Sequence, residues 1–179
     1  MHTWIVLFRG INVGGKNIIP MAELRALFED LGFKQVKSYI QSGNVICQSL
    51  EPDPVLLRQT IGDAVHARFG VQLPIIILSQ SALKAAFEAN PFPEADADTK
   101  SLHLYFLSAE PAQPDLAAMT KRQTGSEYFR LIGSVFYLYA PEGIGRSKLA
   151  AQAEKLLGVD ATARNGRSVN KILELAGAV

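Results

Sequence analysis

The chain has 179 residues, 48% hydrophobic and 20% charged, with a formal charge of +1 at pH 7. This is the composition of an ordinary globular protein with ample material for a core, and Lys and Arg are too dispersed to form a polybasic field for nucleic acid or an anionic membrane. A single cysteine, Cys47, excludes an internal disulfide and suits a reducing compartment, and no apolar run approaches the ~18 residues of a membrane span. The expectation is a cytoplasmic protein with no membrane contact, in which any anion binding comes from local geometry.

In chain order, residues 3–9 read as a first strand rather than a signal peptide, because Arg9 interrupts the apolar run and no small-residue cleavage site follows. Residues 20–31 put Met21, Leu24, Leu27, Phe28 and Leu31 on one helical face, with Pro20 at the start and Gly32 as the stop. Residues 35–41 and 44–49 are β-prone runs around Ser42-Gly43-Asn44, a hairpin with a small-residue turn. Asp53 caps a helix over 54–69, whose stripe is Leu57, Ile61, Ala64, Val65 and Phe69 and which Gly70 closes, and a strand over 74–79 follows. A trailing helix at 81–89 leads into "NPFPEADADTK", residues 90–100, whose prolines and small or acidic residues read as a linker.

The order then repeats. A strand at 101–108, a helix at 114–122, strands at 126–132 and 135–140 around Gly133-Ser134, a helix at 146–158, a strand at 160–164 and a helix at 168–177 are expected. Each half is βαββαβ with a trailing helix. The predicted fold is therefore α+β, two ferredoxin-like βαββαβ units in tandem over 1–89 and 101–179, joined by 90–100. One continuous mixed α/β sheet is the rival, since alternation alone does not separate the two.

Three polar loops carry what chemistry the sequence offers. "RGINVGGKN", residues 9–17, contains Gly10, four residues, Gly15 and Lys16, one position short of the phosphate-binding P-loop signature. In that motif a hydroxyl follows the lysine to hold magnesium and the helix begins at the lysine. Here Asn17 follows, and "NIIP" delays the helix by about four residues because Ile19 precedes a proline. A glycine-permitted bend, with Gly14 and Gly15 at positive φ, accounts for the glycines; Arg9, Asn12, Lys16 and Asn17 remain as a dense polar set.

The second loop is "APEGIGRSK", residues 140–148, and the third "TARNGRS", residues 162–168, each leading into a helix. Arg146 and Lys148 in one, and Arg164 and Arg167 in the other, lie at or just before the first turn, where a cation opposes the helix dipole by ~0.3–1 kcal/mol. A bound anion held by helix amides, Ser147, Ser168 and the basic side chains would offset this. Alternatively the serines are N-caps and the cations reach into water.

His2, His66 and His103 show no metal-ligand spacing, so neither a metal nor a cofactor is expected. Cys47 reads as a packing residue inside a strand, and Glu142 is the one acid beside the polar loops. The loop residues are of kinds that hold a ligand, and none is identified as a catalytic base. Tyr105, Tyr128, Tyr137 and Tyr139 raise an alternative, single-stranded nucleic-acid binding by base stacking, although the RNA-binding signature of ferredoxin-like sheets is missing.

The motifs "RGINVGGKN" with Met21 and Leu24 behind it, "YIQSGNV" at 39–45, "NPFP" at 90–93, "YLYAPEGIGRSK" at 137–148 and "TARN" at 162–165 resemble those of a bacterial family known as domain of unknown function 1697. The resemblance implies a duplicated ferredoxin-like α+β fold and carries no activity over. Its motif residues fall here on Arg9, Asn12, Gly14, Gly15, Lys16, Asn17, Gln41, Ser42, Gly43, Asn44, Lys148, Thr162, Arg164 and Asn165. One departure is Gly166, where the family usually has tryptophan. Together with Ser147, and apart from Gly43, these residues form the candidate ligand-binding set. The reading they support is a small anionic ligand, such as a phosphorylated metabolite or nucleotide, in a cleft between the halves. A protein-interaction scaffold, in which the motif residues only fix turns, is the third class; it requires them to spend their hydrogen bonds on the backbone.

Overall fold

In a computed structural model describing residues 1–179, the β-prone apolar run within "HTWIVLF" produces β1 (His2–Phe8), the centre of the first sheet. Trp4, Val6 and Phe8 enter one core with Leu24, Leu27 and Phe28 of α1 (Met21–Asp30) and Leu57, Ile61 and Val65 of α2 (Pro54–Phe69). The intervening Ile5 and Leu7 are fully buried as well, which is why this strand reads as a continuous apolar run. β2 (Lys34–Tyr39), β3 (Asn44–Ser49) and β4 (Ile75–Ser79) complete an antiparallel sheet of order β2-β3-β1-β4. The predicted cap of α2 is present: Asp53 Oδ1 accepts from Val55 N at 2.8 Å, ahead of Pro54.

The second set repeats this plan. β5 (Leu102–Leu107), α4 (Leu116–Arg122), β6 (Tyr128–Ile132), β7 (Val135–Tyr139), α5 (Lys148–Leu157) and β8 (Ala161–Asn165) form an antiparallel sheet of order β6-β7-β5-β8 with two helices. Its core joins Tyr105, Leu107, Phe136 and Leu138 to Met119, Leu149, Ala153 and Leu157. Two separate four-stranded sheets of the same order exclude the single continuous sheet, and the architecture is α+β with tandem ferredoxin-like units.

Compactness divides the chain into Met1–Ala85 with Lys171–Val179, and Ala86–Asn170. The division differs from the sequence expectation of 1–89, 90–100 and 101–179 in two places. Residues 90–100 lie within the second unit, where they include a 3₁₀ turn at Pro93–Asp96 and Asn90 brackets Phe92 through hydrogen bonds to its N–H and C=O. The C-terminal segment groups with the first unit, where Lys37 Nζ donates to Ala178 O at 2.8 Å. Two more helices follow the βαββαβ runs: α3 (Gln80–Glu88) after β4, and α6 (Gly166–Ala176) after β8. No helix is long and apolar enough to cross a membrane.

Candidate functional site

The loop after β1 folds back as a miniature hairpin. Asn12 N donates to Asn17 O at 3.1 Å and Lys16 N to Val13 O at 3.1 Å, with Gly14 (φ +60°) and Gly15 (φ +72°) at the tip. Two consecutive positive-φ residues are what a two-residue type I′ turn demands. Lys16 is therefore exposed on a hairpin, with Asn17 to Pro20 between it and α1, and the loop is not a phosphate-cradling P-loop.

Asn12 is the clamp of this region. Its Oδ1 accepts from Ile19 N at 2.8 Å, and its Nδ2 donates to Ile19 O at 2.9 Å and to Gln41 O at 3.0 Å. Asn17 Nδ2 donates to Gly10 O at 3.0 Å. The fully buried Asn44 donates to Tyr39 O at 3.1 Å and Ser42 Oγ at 2.9 Å, drawing the β2–β3 turn tight. Gly43 seats that turn against β1: Phe8 N donates to its carbonyl at 2.9 Å, and a Cβ there would lie 2.3 Å from Ile11 Cγ2. The first two motif loops are thus brought together by backbone clamping. Arg9 is half-buried and its N–H donates to Pro74 O at 3.0 Å, while Lys16 and the Gln41 side chain face solvent.

In the second unit Ser147 is buried and caps α5, accepting from Ala150 N at 3.0 Å. Asn165 Oδ1 accepts from Ser168 N at 2.8 Å, which starts α6 at Gly166 rather than at 168. Lys148 opens α5 and is exposed. Ala161 and Ala163 pack into the core that holds α4 and α5, so Thr162 and Arg164, offset by one residue, face the opposite side of the sheet. Ser147 and Lys148 are consequently not gathered with Thr162 and Arg164. The Arg164 guanidinium donates to Ala163 O at 2.8 Å, and burial pushes its pKa down to about 10. Thr162 is 2% exposed and its hydroxyl makes no hydrogen bond.

A cavity of about 390 Å³ opens in the second unit where the 124–127 turn meets the β7–α5 connection. Glu142, Gly145, Arg146 and Ser147 line one side, and Thr124, Ser126 and Glu127 the other. Ser126 Oγ donates to Glu142 Oε1 at 3.1 Å. Glu127 is 4% exposed, and its Oε2 accepts from Thr124 N at 3.0 Å. Sequence reading missed Glu127; the available signal was the "TGSE" turn, in which an acid three residues on can bond back to the first N–H. Its charge adds to burial in raising the Tyr105 phenol to about 12.

The remaining chemical candidates are quiet. Burial raises the Cys47 thiol to about 12, which removes it as a nucleophile near neutral pH. Burial lowers the His103 imidazole pKa, and His103 Nε2 makes no hydrogen bond. Tyr105 and Tyr137 are buried, with Tyr137 OH donating to Ala86 O at 2.6 Å. Tyr128 is 52% exposed and stacks on Tyr139 at 6.4 Å.

Sheet order and loop geometry define the class as a duplicated ferredoxin-like α+β protein. The chain matches the family described as Protein of unknown function (DUF1697) over residues 1–137, and it belongs to that family. The solved structure of conserved bacterial protein SP0830 from Streptococcus pneumoniae shares its fold, with 23% identity and a TM-score of 0.73 over 98% of each chain. No curated protein matches the chain.

Proposed function

We propose that this chain binds a small ligand through an anionic group, a phosphate or carboxylate, at the start of α5 in the second unit. One observation carries the reading: Arg146 lines a cavity of about 390 Å³ and its guanidinium forms no ion pair within the protein. That volume falls in the range of metabolite sites. The Gly145 and Arg146 N–H groups make no hydrogen bond inside the protein and adjoin the positive end of the ten-residue α5, an arrangement that favours negative charge. Exposed Lys148 adds a second cation. Ser147 acts as the cap that holds this end open to a ligand. No side chain here is assigned to proton transfer, so the proposal is one of binding.

A different role is favoured for the first motif. Asn12, Asn17 and Asn44 direct carboxamide hydrogen bonds to the backbone, which supports the reading that they fix turns.

A thermal-shift screen against inorganic phosphate, nucleotides, sugar phosphates, carboxylates and short single-stranded oligonucleotides tests the proposal. A ligand at 100 times its Kd stabilises the fold by about 2.7 kcal/mol. The expected result is a shift with one anion class that disappears in Arg146→Ala. A shift unaffected by Arg146→Ala, or none with any compound, rejects it.

A further inference from the structure

Resting on that reading, we infer that the ligand also carries a cationic group, and that the cavity takes a dipolar small molecule: an amine that bears a phosphate or carboxylate as well.

The inference stands on Glu127. A carboxylate that is 4% exposed is ordinarily neutralised by a cation or surrounded by donors. Here Oε2 receives a single amide hydrogen bond from Thr124, Oε1 receives none, and no Lys, Arg or His forms an ion pair with the group. Holding the 124–127 turn needs one acceptor oxygen. A second, unmatched oxygen in a side chain that lines a cavity is acceptor capacity left for an occupant. Glu142 repeats the pattern at the rim: its carboxylate accepts from Ser126 Oγ and pairs with no cation.

Arg146 lines the same cavity and pairs with neither acid. Three charged groups around about 390 Å³ therefore leave one another unpaired. A plain anion would satisfy Arg146 and be repelled by the two carboxylates of residues that line the same cavity. A plain cation would satisfy the acids and leave Arg146. A molecule with both groups satisfies all three, with its ammonium toward Glu127 and Glu142 and its anion toward Arg146 and the adjoining amides. No group of three His, Cys, Asp or Glu side chains is placed there to hold a metal ion.

Titration calorimetry on the full chain decides the matter with matched probes: phosphoethanolamine and the free amino acids, their N-acetylated forms, inorganic phosphate and ethanolamine. Amine-bearing anions are expected to bind at least tenfold more tightly than the N-acetylated forms or phosphate. Glu127→Gln, which keeps an acceptor for Thr124 N, is expected to weaken them at least tenfold while strengthening phosphate binding, because one repelling carboxylate is gone; Glu142→Gln, at an exposed position, is expected to weaken them less and guards against misfolding of the first variant. Phosphate binding that is lost in Arg146→Ala, with no preference for amines and no effect of either glutamate variant, overturns this inference and leaves the anion reading standing. Ethanolamine binding that ignores Arg146→Ala, or no binding by any probe, overturns both.

Discussion

The two units build the same sheet yet close it differently at one connection. In the first, β3 passes to α2 through four residues, 50–53, and the connection satisfies itself: Glu51 Oε1 accepts from Asp53 N at 2.9 Å and Asp53 caps the helix. In the second, β7 passes to α5 through eight, 140–147, and the extra length, with Gly143 and Gly145, opens a cavity whose charged groups are unpaired. The loop after the first strand shows the reverse. In the first unit it is the clamped hairpin around Asn12; in the second, "SAEPAQP" carries no such motif. A common topology thus fixes where loops emerge, and each loop's length and composition decide whether it is spent on the fold or left open.

If that contrast is right, the first unit's motif is a stability element and the second unit's loop is not. The largest effect is expected from Gly43→Ala. Its Cβ would overlap Ile11 and Phe8, and φ is +74°, so overpacking and left-handed strain together cost about 3 kcal/mol in urea unfolding. Stability within 1 kcal/mol of wild type would mean that this turn is not seated on β1. Gly166→Trp belongs in the same range, because even a Cβ there lies 2.7 Å from Thr99 O, in space that the 95–101 segment occupies in this chain.

Asn12→Ala follows, with about 2 kcal/mol expected from leaving Ile19 N, Ile19 O and the Gln41 carbonyl without their partner. A loss under 0.5 kcal/mol would move Asn12 from the fold to the ligand.

A smaller, pH-dependent effect belongs to the second unit. Burial holds the His103 pKa below 6.5, so the unfolded chain takes up the proton first as pH falls. The stability tied to the neutral imidazole is complete above pH 6.5 and is lost as pH drops through the lowered folded value. Unfolding between pH 7 and pH 5 is expected to show this loss, and His103→Phe to flatten it; an unchanged profile in the variant would assign the acid sensitivity elsewhere. The first unit holds no buried imidazole, since His2 and His66 are exposed. The smallest effects are expected from Lys16→Ala and Arg146→Ala, within about 0.5 kcal/mol in the ligand-free protein. A larger loss at Arg146 would reassign it to folding and weaken the binding proposal.

Much of this was legible beforehand because it is local. The apolar spacing of 21–31, the Asp53-Pro54 start of α2 and the Gly14-Gly15 bend are decided within one or two turns of chain, where capping and φ preferences act. The delay of α1 to Met21 follows from proline chemistry alone. Asn12, by contrast, was singled out as a ligand group because a carboxamide in a glycine-rich loop has the same appearance whether it binds a metabolite or a backbone. What decides is Gln41, twenty-nine residues away. Glu127 was overlooked for a related reason, since charge suggests exposure until the sheet buries it.

The amino-acid sequence by itself determined the order of strands and helices, the repeat of that order and the places where polar loops emerge, because periodicity and turn chemistry are short-range. Only the tertiary structure decided that Thr162 and Arg164 turn to the opposite sheet face from α5, that Asn12 faces backbone and that Glu127 lines a cavity. Those outcomes depend on strand register and on which distant groups are left to neutralise one another.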